Sequence, residues 1–423
     1  MPAQGAWCLV VTKVSSSRRR LAVIGGGVIG LSTAWRAAAR GFEVTVIDPR
    51  PGSGSSWVAG GMLAPVSEAW PGEDAALELG AASLRGWPDF AAELAAASGR
   101  EPGLRTEGTV VVAADRADQT DLDRLADYLA HLGRKVDRLN GREVRGLEPS
   151  LGPAVRAGLS VPGDLAVDNR GLMAALRTAC DRGGVRFLAR RAMSVTETTD
   201  VRVSLAREDS GDQAPADAIP ADSAPIDSTA ADSITADQAV IAAGPWSTTL
   251  HERLRGALHP VKGEVLRLRA RPGTLPPPRR TIRGRVRGRP VYLVPRDEDG
   301  LVVGATQYEA GFDTAVTAGS VRDLLRDAEV LLPALAEYEL IECAAGLRPA
   351  TGDNLPIIGR LSAGLLAATG HHRNGFLLAP ITSAAVVDLL LGRPTGEVVR
   401  AADPARLAAA SVPALRDSED PDR

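Results

Sequence analysis

Lysine is nearly missing from this chain of 423 residues. Lys13, Lys135 and Lys262 stand alone among 49 basic residues. Together with the abundance of alanine, this reads as a coding bias and not as an arginine-dependent function. Net charge is equally scant at -3, which leaves no basic field for nucleic acid and no acidic field for cationic partners. Cysteine occurs only as Cys8, Cys180 and Cys343, far apart and with no CxxC pair. A disulfide scaffold and a structural zinc site are thereby excluded, and a reducing cytoplasm is the expected setting. No apolar run approaches the ~18 residues of a membrane span. The leader Met1–Ser17 has its apolar stretch before the arginines Arg18–Arg20, the reverse of a secretion signal. Neither GxSxG nor HExxH occurs, so hydrolase chemistry has no support.

What is present is a chain rich enough in apolar residues, at 44%, to build two or three domains. LAVIGGGVIG (Leu21–Gly30) reads as a buried strand running into glycines. LSTAWRAAARG (Leu31–Gly41) reads as a helix and EVTVIDP (Glu43–Pro49) as a second strand. Gly25, Gly27 and Gly30 form GxGxxG at the strand–helix junction of this βαβ unit. The first glycine permits the tight turn, the second a close approach to pyrophosphate, and the third helix–strand packing. Asp48 ends the second strand where a carboxylate would accept from ribose hydroxyls and repel a 2'-phosphate. Further helices are expected at Ala75–Ser98, Thr120–Leu132 and Val167–Gly184, and a strand at Val185–Ala189. Residues 208–236, rich in Ala, Asp, Pro and Ser, read as a disordered insertion between two strands of a meander.

Three later segments favour FAD over NAD. PGSGSSWVAGGML (Pro51–Leu63) supplies small residues against which a flat ring could lie. VIAAGPWS (Val240–Ser247) is a strand that ends in small residues. GLLAATGHHRNGFLLAP (Gly364–Pro380) is a strand, a glycine-containing turn and a helix start whose dipole could stabilise a reduced ring. In GLRPATGDNLPIIG (Gly346–Gly359), Arg348 is a candidate carboxylate anchor, because guanidinium matches carboxylate bidentately. The competing role is a structural arginine paired to Asp353 or to backbone. Arg373 and Tyr292 are further pocket candidates, each with a structural alternative. Adjacent His371 and His372 point apart on a turn without a third ligand, so no metal is expected.

The segments AGGML, VKGE (Val261–Glu264), YLVPR, LVVGAT (Leu301–Thr306), AGLRPATGD and GHHRNGFLLAP, in this order, resemble the D-amino-acid oxidase and glycine oxidase family of FAD-dependent amine oxidases. Within it, the nearest likeness is to the glycine-oxidising branch tied to thiamin thiazole biosynthesis. The resemblance implies a Rossmann-type α/β FAD domain interleaved with a smaller α+β substrate domain built on an antiparallel sheet. The FAD domain would collect 18–82, 160–250 and 341–400, and the substrate domain 83–159 and 251–340. Residues 1–17 would be a disordered extension and 401–423 a flexible tail.

By position, Val28, Ile29, Asp48, Pro49, Ser55, Ser56, Gly60, Gly61 and Met62 would line the adenosine and pyrophosphate. Met193 would give a backbone contact to adenine. His371, His372, Arg373, Asn374, Gly375, Phe376 and Leu377 would wrap the isoalloxazine. Arg348 matches the family's carboxylate-binding arginine, Arg373 a second substrate arginine and Tyr292 an active-site tyrosine. The covalently linked cysteine of related sarcosine oxidases falls at Gly346 here, which implies noncovalent FAD. The resemblance also implies a small amino-acid substrate, O2 reduced to H2O2, and a tetramer. Pro290 and Gln307 depart from the pattern at two positions expected to face the pocket. A dehydrogenase for D-amino acids or sarcosine with another electron acceptor, and a flavin-binding redox sensor, remain open alternatives.

Overall fold

The computed structural model describes residues 18–206 and 232–410. Its first sheet has six strands in the order Ile357–Arg360, Leu365–Thr369, Gln238–Ile241, Arg20–Ile24, Glu43–Ile47, Arg186–Leu188. All neighbours are parallel except the hairpin formed by the first two. Such a sheet must be covered on both faces, which explains unbroken buried runs such as Leu21–Ile24. Val23, Val44, Val46, Val240 and Leu366 turn toward a helical layer that includes Val28–Ala39, Asn169–Arg182 and Gly375–Leu390. Ala22, Ile24, Ala239, Ile241 and Leu365 turn the other way, onto the meander Ala192–Glu197, Val201–Leu205, Ser233–Ala236.

The second sheet has eight strands, ordered Glu339–Ala350, His259–Arg269, Gly300–Gly304, Arg289–Pro295, Thr281–Val286, Thr109–Ala113, Ala157–Val161, Asp137–Asn140. One face packs on the helix Ala318–Leu331 through Leu266, Leu268, Leu293 and Val303. The opposite face carries Val265, Val294 and Val302 against Val58 of the short helix Ser55–Val58. This second contact is where the two sheets meet, and the functional residues lie around it.

Several boundaries differ from expectation. The sheet expected to be antiparallel contains one parallel step, Thr281–Val286 beside Thr109–Ala113. Residues 341–350, assigned above to the FAD domain, pair with His259–Arg269 in the second sheet instead. The stretch Ala75–Ser98 is two helices, Asp74–Arg85 and Trp87–Ser98, with Pro88 in the first turn of the second, where its missing N–H costs nothing. Residues 233–236 of the expected disordered insertion form a strand, because they complete the meander beside Val201–Leu205. Residues 401–407 of the expected flexible tail pack down. Ala402 is fully buried, and Arg406 holds Asp353 at 2.8 Å and the Leu355 carbonyl at 2.8 Å. The expectations for residues 1–17, 207–231 and 411–423 lie outside the described residues.

Candidate active site

The glycine-rich turn is built as its spacing requires. Gly25 has φ of +112°, and a Cβ there would lie 2.2 Å from the Ala242 carbonyl oxygen. A Cβ on Gly30 would lie 1.9 Å from the Gly25 carbonyl oxygen, so the helix can begin against the turn only without a side chain. Gly27 is the N-cap of Val28–Ala39, whose first turn holds no acidic residue. Val28 N–H donates to Ser56 Oγ at 3.0 Å, and Ile29 is buried behind it. Asp48 accepts from the Gly26 and Arg50 amides, both at 2.7 Å. Burial raises its pKa, while those two amides act in the opposite direction. The carboxylate expected at the ribose therefore also braces the turn, with Pro49 exposed beside it.

A second helix start meets the first. Gly375–Leu390 also has no acid in its first turn, and a Cβ on Gly375 would stand 3.8 Å from Val28 Cγ1. Two positive helix ends thus converge on one locus, the arrangement that receives phosphates and other electron-rich groups. The second start is fixed by Ser83 Oγ and Trp87 Nε1, which donate to the Leu377 carbonyl at 2.6 Å and 3.0 Å, near Pro380 where the helix ladder is broken. Phe376 and Leu377 are buried, and Asn374 N–H closes the preceding turn on the His371 carbonyl at 2.8 Å. His371 Nε2 and Thr382 Oγ1 are 3.0 Å apart. His372 has φ of +46°, and both its ring nitrogens are buried without a protein partner. Burial pulls both imidazoles down to about 3, so both are neutral at pH 7.

The AGGML stretch joins the two sheets. Ser55 Oγ donates to the Leu347 carbonyl, and Gly346 packs under Ser55 and Val58 at 3.2–3.3 Å from where its Cβ would be. Gly61 has φ of +72°, and its Cβ would strike the Val167 carbonyl at 2.2 Å. Arg296 Nη2 donates to the Gly60 carbonyl at 2.6 Å, while Asn169 Nδ2 donates to the Ser56 and Trp57 carbonyls at 2.9 Å each. Met62 follows in a two-residue strand paired with Ala166. Arg296 and Asn169 were missed by sequence reasoning, although Arg296 ends the quoted YLVPR.

Arg348 and Tyr292 lie on the sheet face that looks toward this stretch, each on a glycine floor. A Cβ on Gly263 would be 2.1 Å from Arg348 Nη1, and one on Gly304 would be 2.3 Å from the Tyr292 hydroxyl. Tyr292 also passes over Gly60, its ring 3.0 Å from that residue's would-be Cβ. Arg348 Nη1 donates to the Thr306 carbonyl at 3.3 Å, and no carboxylate lies within ion-pair distance among the described residues. Asp353, its expected structural partner, is held by Arg406 instead. Burial pushes the Tyr292 hydroxyl up and the nearby Arg348 guanidinium pulls it down, with burial dominant, so it is neutral. Gly263 and Gly304 were missed by sequence reasoning, and the one signal available was a glycine inside a strand, a mark of close approach by another group.

The remaining candidates are placed differently. Arg373 is already paired, with Glu73 at 2.7 Å and with Glu68 at 3.5 Å. Pro290 and Gln307 are exposed. Met193 is the extra residue of a β-bulge between Ala192 and Ser194, so its backbone stands outside the ladder while its side chain is exposed. Cys343 packs with the core beneath the opposite sheet face, away from Arg348 and Gly346.

Fold and site together define a flavin-type dinucleotide enzyme. Turns free of side chains, two acid-free helix starts and the unpartnered nitrogens of His372 fit FAD. Residues 20–389 match the family described as FAD dependent oxidoreductase (DAO), and the chain belongs to that family. It is 32% identical over 384 residues to a glycine oxidase of Geobacillus kaustophilus (strain HTA426), covering 89% of this chain and 94% of that protein. It is 31% identical to a putative thiamine biosynthesis oxidoreductase ThiO of Rhizobium etli, over 88% of this chain and 96% of that protein. The crystal structure of glycine oxidase from Geobacillus kaustophilus superposes with a TM-score of 0.78 at 29% identity, covering 92% of this chain and 99% of that one.

Proposed function

We propose that this FAD-dependent oxidoreductase oxidises glycine, and with it sarcosine or small D-amino acids, to the imine, with O2 reduced to H2O2. The observation that carries the reading is Arg348, a guanidinium held over a glycine floor beside neutral Tyr292 and lacking a carboxylate of its own. Similarity to a glycine oxidase and to a thiamine biosynthesis oxidoreductase supports glycine as substrate and thiamin thiazole formation as the setting.

The Gly25–Gly30 turn and the starts of the helices Val28–Ala39 and Gly375–Leu390 would hold FAD, which would supply hydride acceptance and reoxidation by dioxygen. The chain itself binds and orients. Arg348 takes the substrate carboxylate through two N–H groups, which leaves the amino carbon directed away from the sheet toward the AGGML stretch. Tyr292 offers its hydroxyl beside that carboxylate. His371 and His372 stay neutral, so no cation from either competes with Arg348 for the carboxylate. Oxidation needs the neutral amine, and rates are expected to rise with pH toward the amine's own pKa.

Replacing Arg348 with alanine removes a charge-assisted contact worth about 1.5–3 kcal/mol, a loss of roughly ten- to a hundredfold in binding. Steady-state oxygen uptake on the yellow variant measures it. An apparent KM for glycine close to that of the unmodified protein would exclude Arg348 as the anchor.

A further inference from the structure

Beside Tyr292 and Arg348 lies a charge cluster that the reaction does not require. Arg283 pairs across the sheet with Tyr292, and its Nη2 stands 3.5 Å from Glu68 Oε1. The other oxygen of Glu68 stands 3.5 Å from Arg373 Nε, so a side chain only 10% exposed bridges two guanidiniums. Arg373 Nη2 donates to Glu73 at 2.7 Å, and Glu73 accepts from Asn354 Nδ2 at 2.7 Å. Because residues directly opposite each other on neighbouring strands share a sheet face, Arg283 and the Glu68 it holds lie on the Tyr292 side of the sheet.

Arg283 is paired with Glu68, and Arg373 with Glu68 and Glu73, whereas Arg348 has no carboxylate within ion-pair distance among the described residues and keeps its charge for a ligand. A substrate with one carboxylate satisfies that charge. A second carboxylate would have to take Arg373 from Glu68 and Glu73, leaving the mostly buried Glu73 without a guanidinium and Glu68 with Arg283 alone. Resting on the amine-oxidase reading above, we propose that Glu68 and Glu73 are specificity-determining residues. By holding Arg373 they confine the pocket to amines with a single carboxylate and reject glycine derivatives that carry a second one on nitrogen.

The test compares iminodiacetate with glycine in oxygen uptake by the holoenzyme, unmodified and with Glu73→Gln. The ratio of kcat/KM for iminodiacetate to that for glycine is expected to rise about tenfold in the variant, the equivalent of one gained charge contact, and to do so through KM. Adding Arg373→Gln to that variant should abolish the gain. An unchanged or lower ratio in a variant that keeps its flavin absorbance overturns the proposal. A readout independent of any variant is perturbation of the bound flavin spectrum by acetate and malonate in the unmodified protein. Acetate is expected to bind at least about tenfold more tightly, and equal or tighter binding of malonate overturns the proposal. The two readings fail differently. Turnover of glycine without the selectivity change sinks only the role of Glu68 and Glu73. Absence of any amine turnover by yellow protein sinks the amine-oxidase reading and this inference with it.

Discussion

The dinucleotide turn and the amino-acid pocket depend on glycine for opposite reasons. At Gly25 and Gly30 a side chain would collide with backbone, the Ala242 and Gly25 carbonyl oxygens, and nothing there can give way. At Gly263 and Gly304 the obstacle would be the far end of another side chain, the Arg348 guanidinium and the Tyr292 ring. The first pair therefore shapes the fold of the cofactor site. The second pair only decides where two functional groups rest. A ligand site made of backbone is contiguous in sequence, whereas one made of side chains on a sheet is assembled from strands far apart.

The most severe way to break this contrast is Gly30→Ala. Its Cβ has no room, so the protein is expected to purify without yellow colour and to gain no flavin absorbance on addition of FAD. Normal flavin content would show that the turn tolerates a side chain after all. Gly263→Ala should have a milder and different effect. The guanidinium of Arg348 can swing aside, so flavin content stays normal while the KM for glycine rises about tenfold, the value of one displaced charge-assisted contact. Loss of flavin in that variant would erase the distinction between the two kinds of glycine.

The smallest effect concerns the turn that precedes the second helix start. His371 and His372 titrate at about 3 in the folded chain because of burial, against an ordinary 6.5. As pH falls below about 6.5 the unfolded chain takes up protons that the folded chain refuses, so stability present at neutral pH is lost on acidification. Asp164, pushed up to about 6 by burial, and Asp48, also raised by burial, act in the opposite sense, while His251, lowered by burial, acts with the two histidines. The thermal midpoint of the holoenzyme should therefore drop between pH 7.5 and 5. The drop should shrink when His371→Leu is combined with Thr382→Val, which removes the hydrogen-bonding partner as well. An identical drop in that variant would assign the acid sensitivity elsewhere.

How far the sequence could be read follows from the same contrast. The GxGxxG turn, its two strands and the helix Asn169–Arg182 were legible because periodicity and capping residues are local signals; Asp168 indeed accepts from the Arg170 amide at 3.1 Å. The interruption at Gly86 was not, because the apolar spacing continues across it. The expected domain boundary at 340/341 cuts through the strand Glu339–Ala350, since nothing local in ELIECAAGLRPA reveals which partner it will pair with. Arg348 and Tyr292 could be singled out as residue types, but their glycine floors depend on cross-strand register. The pairing of Arg373 with Glu68 and Glu73 joins positions about 300 residues apart, as its hydrogen bond to Glu73 shows, and no spacing rule reaches that far.

In the proposed reaction, a small amino acid held by Arg348 gives up its electrons inside a FAD site. Anaerobic mixing of the yellow protein with glycine, followed by readmission of oxygen, tests it most directly. Bleaching of the flavin by glycine, with peroxide released in proportion to flavin on reoxidation, is the expected result. A flavin that stays fully oxidised in the presence of glycine, sarcosine, D-alanine and D-proline would contradict it.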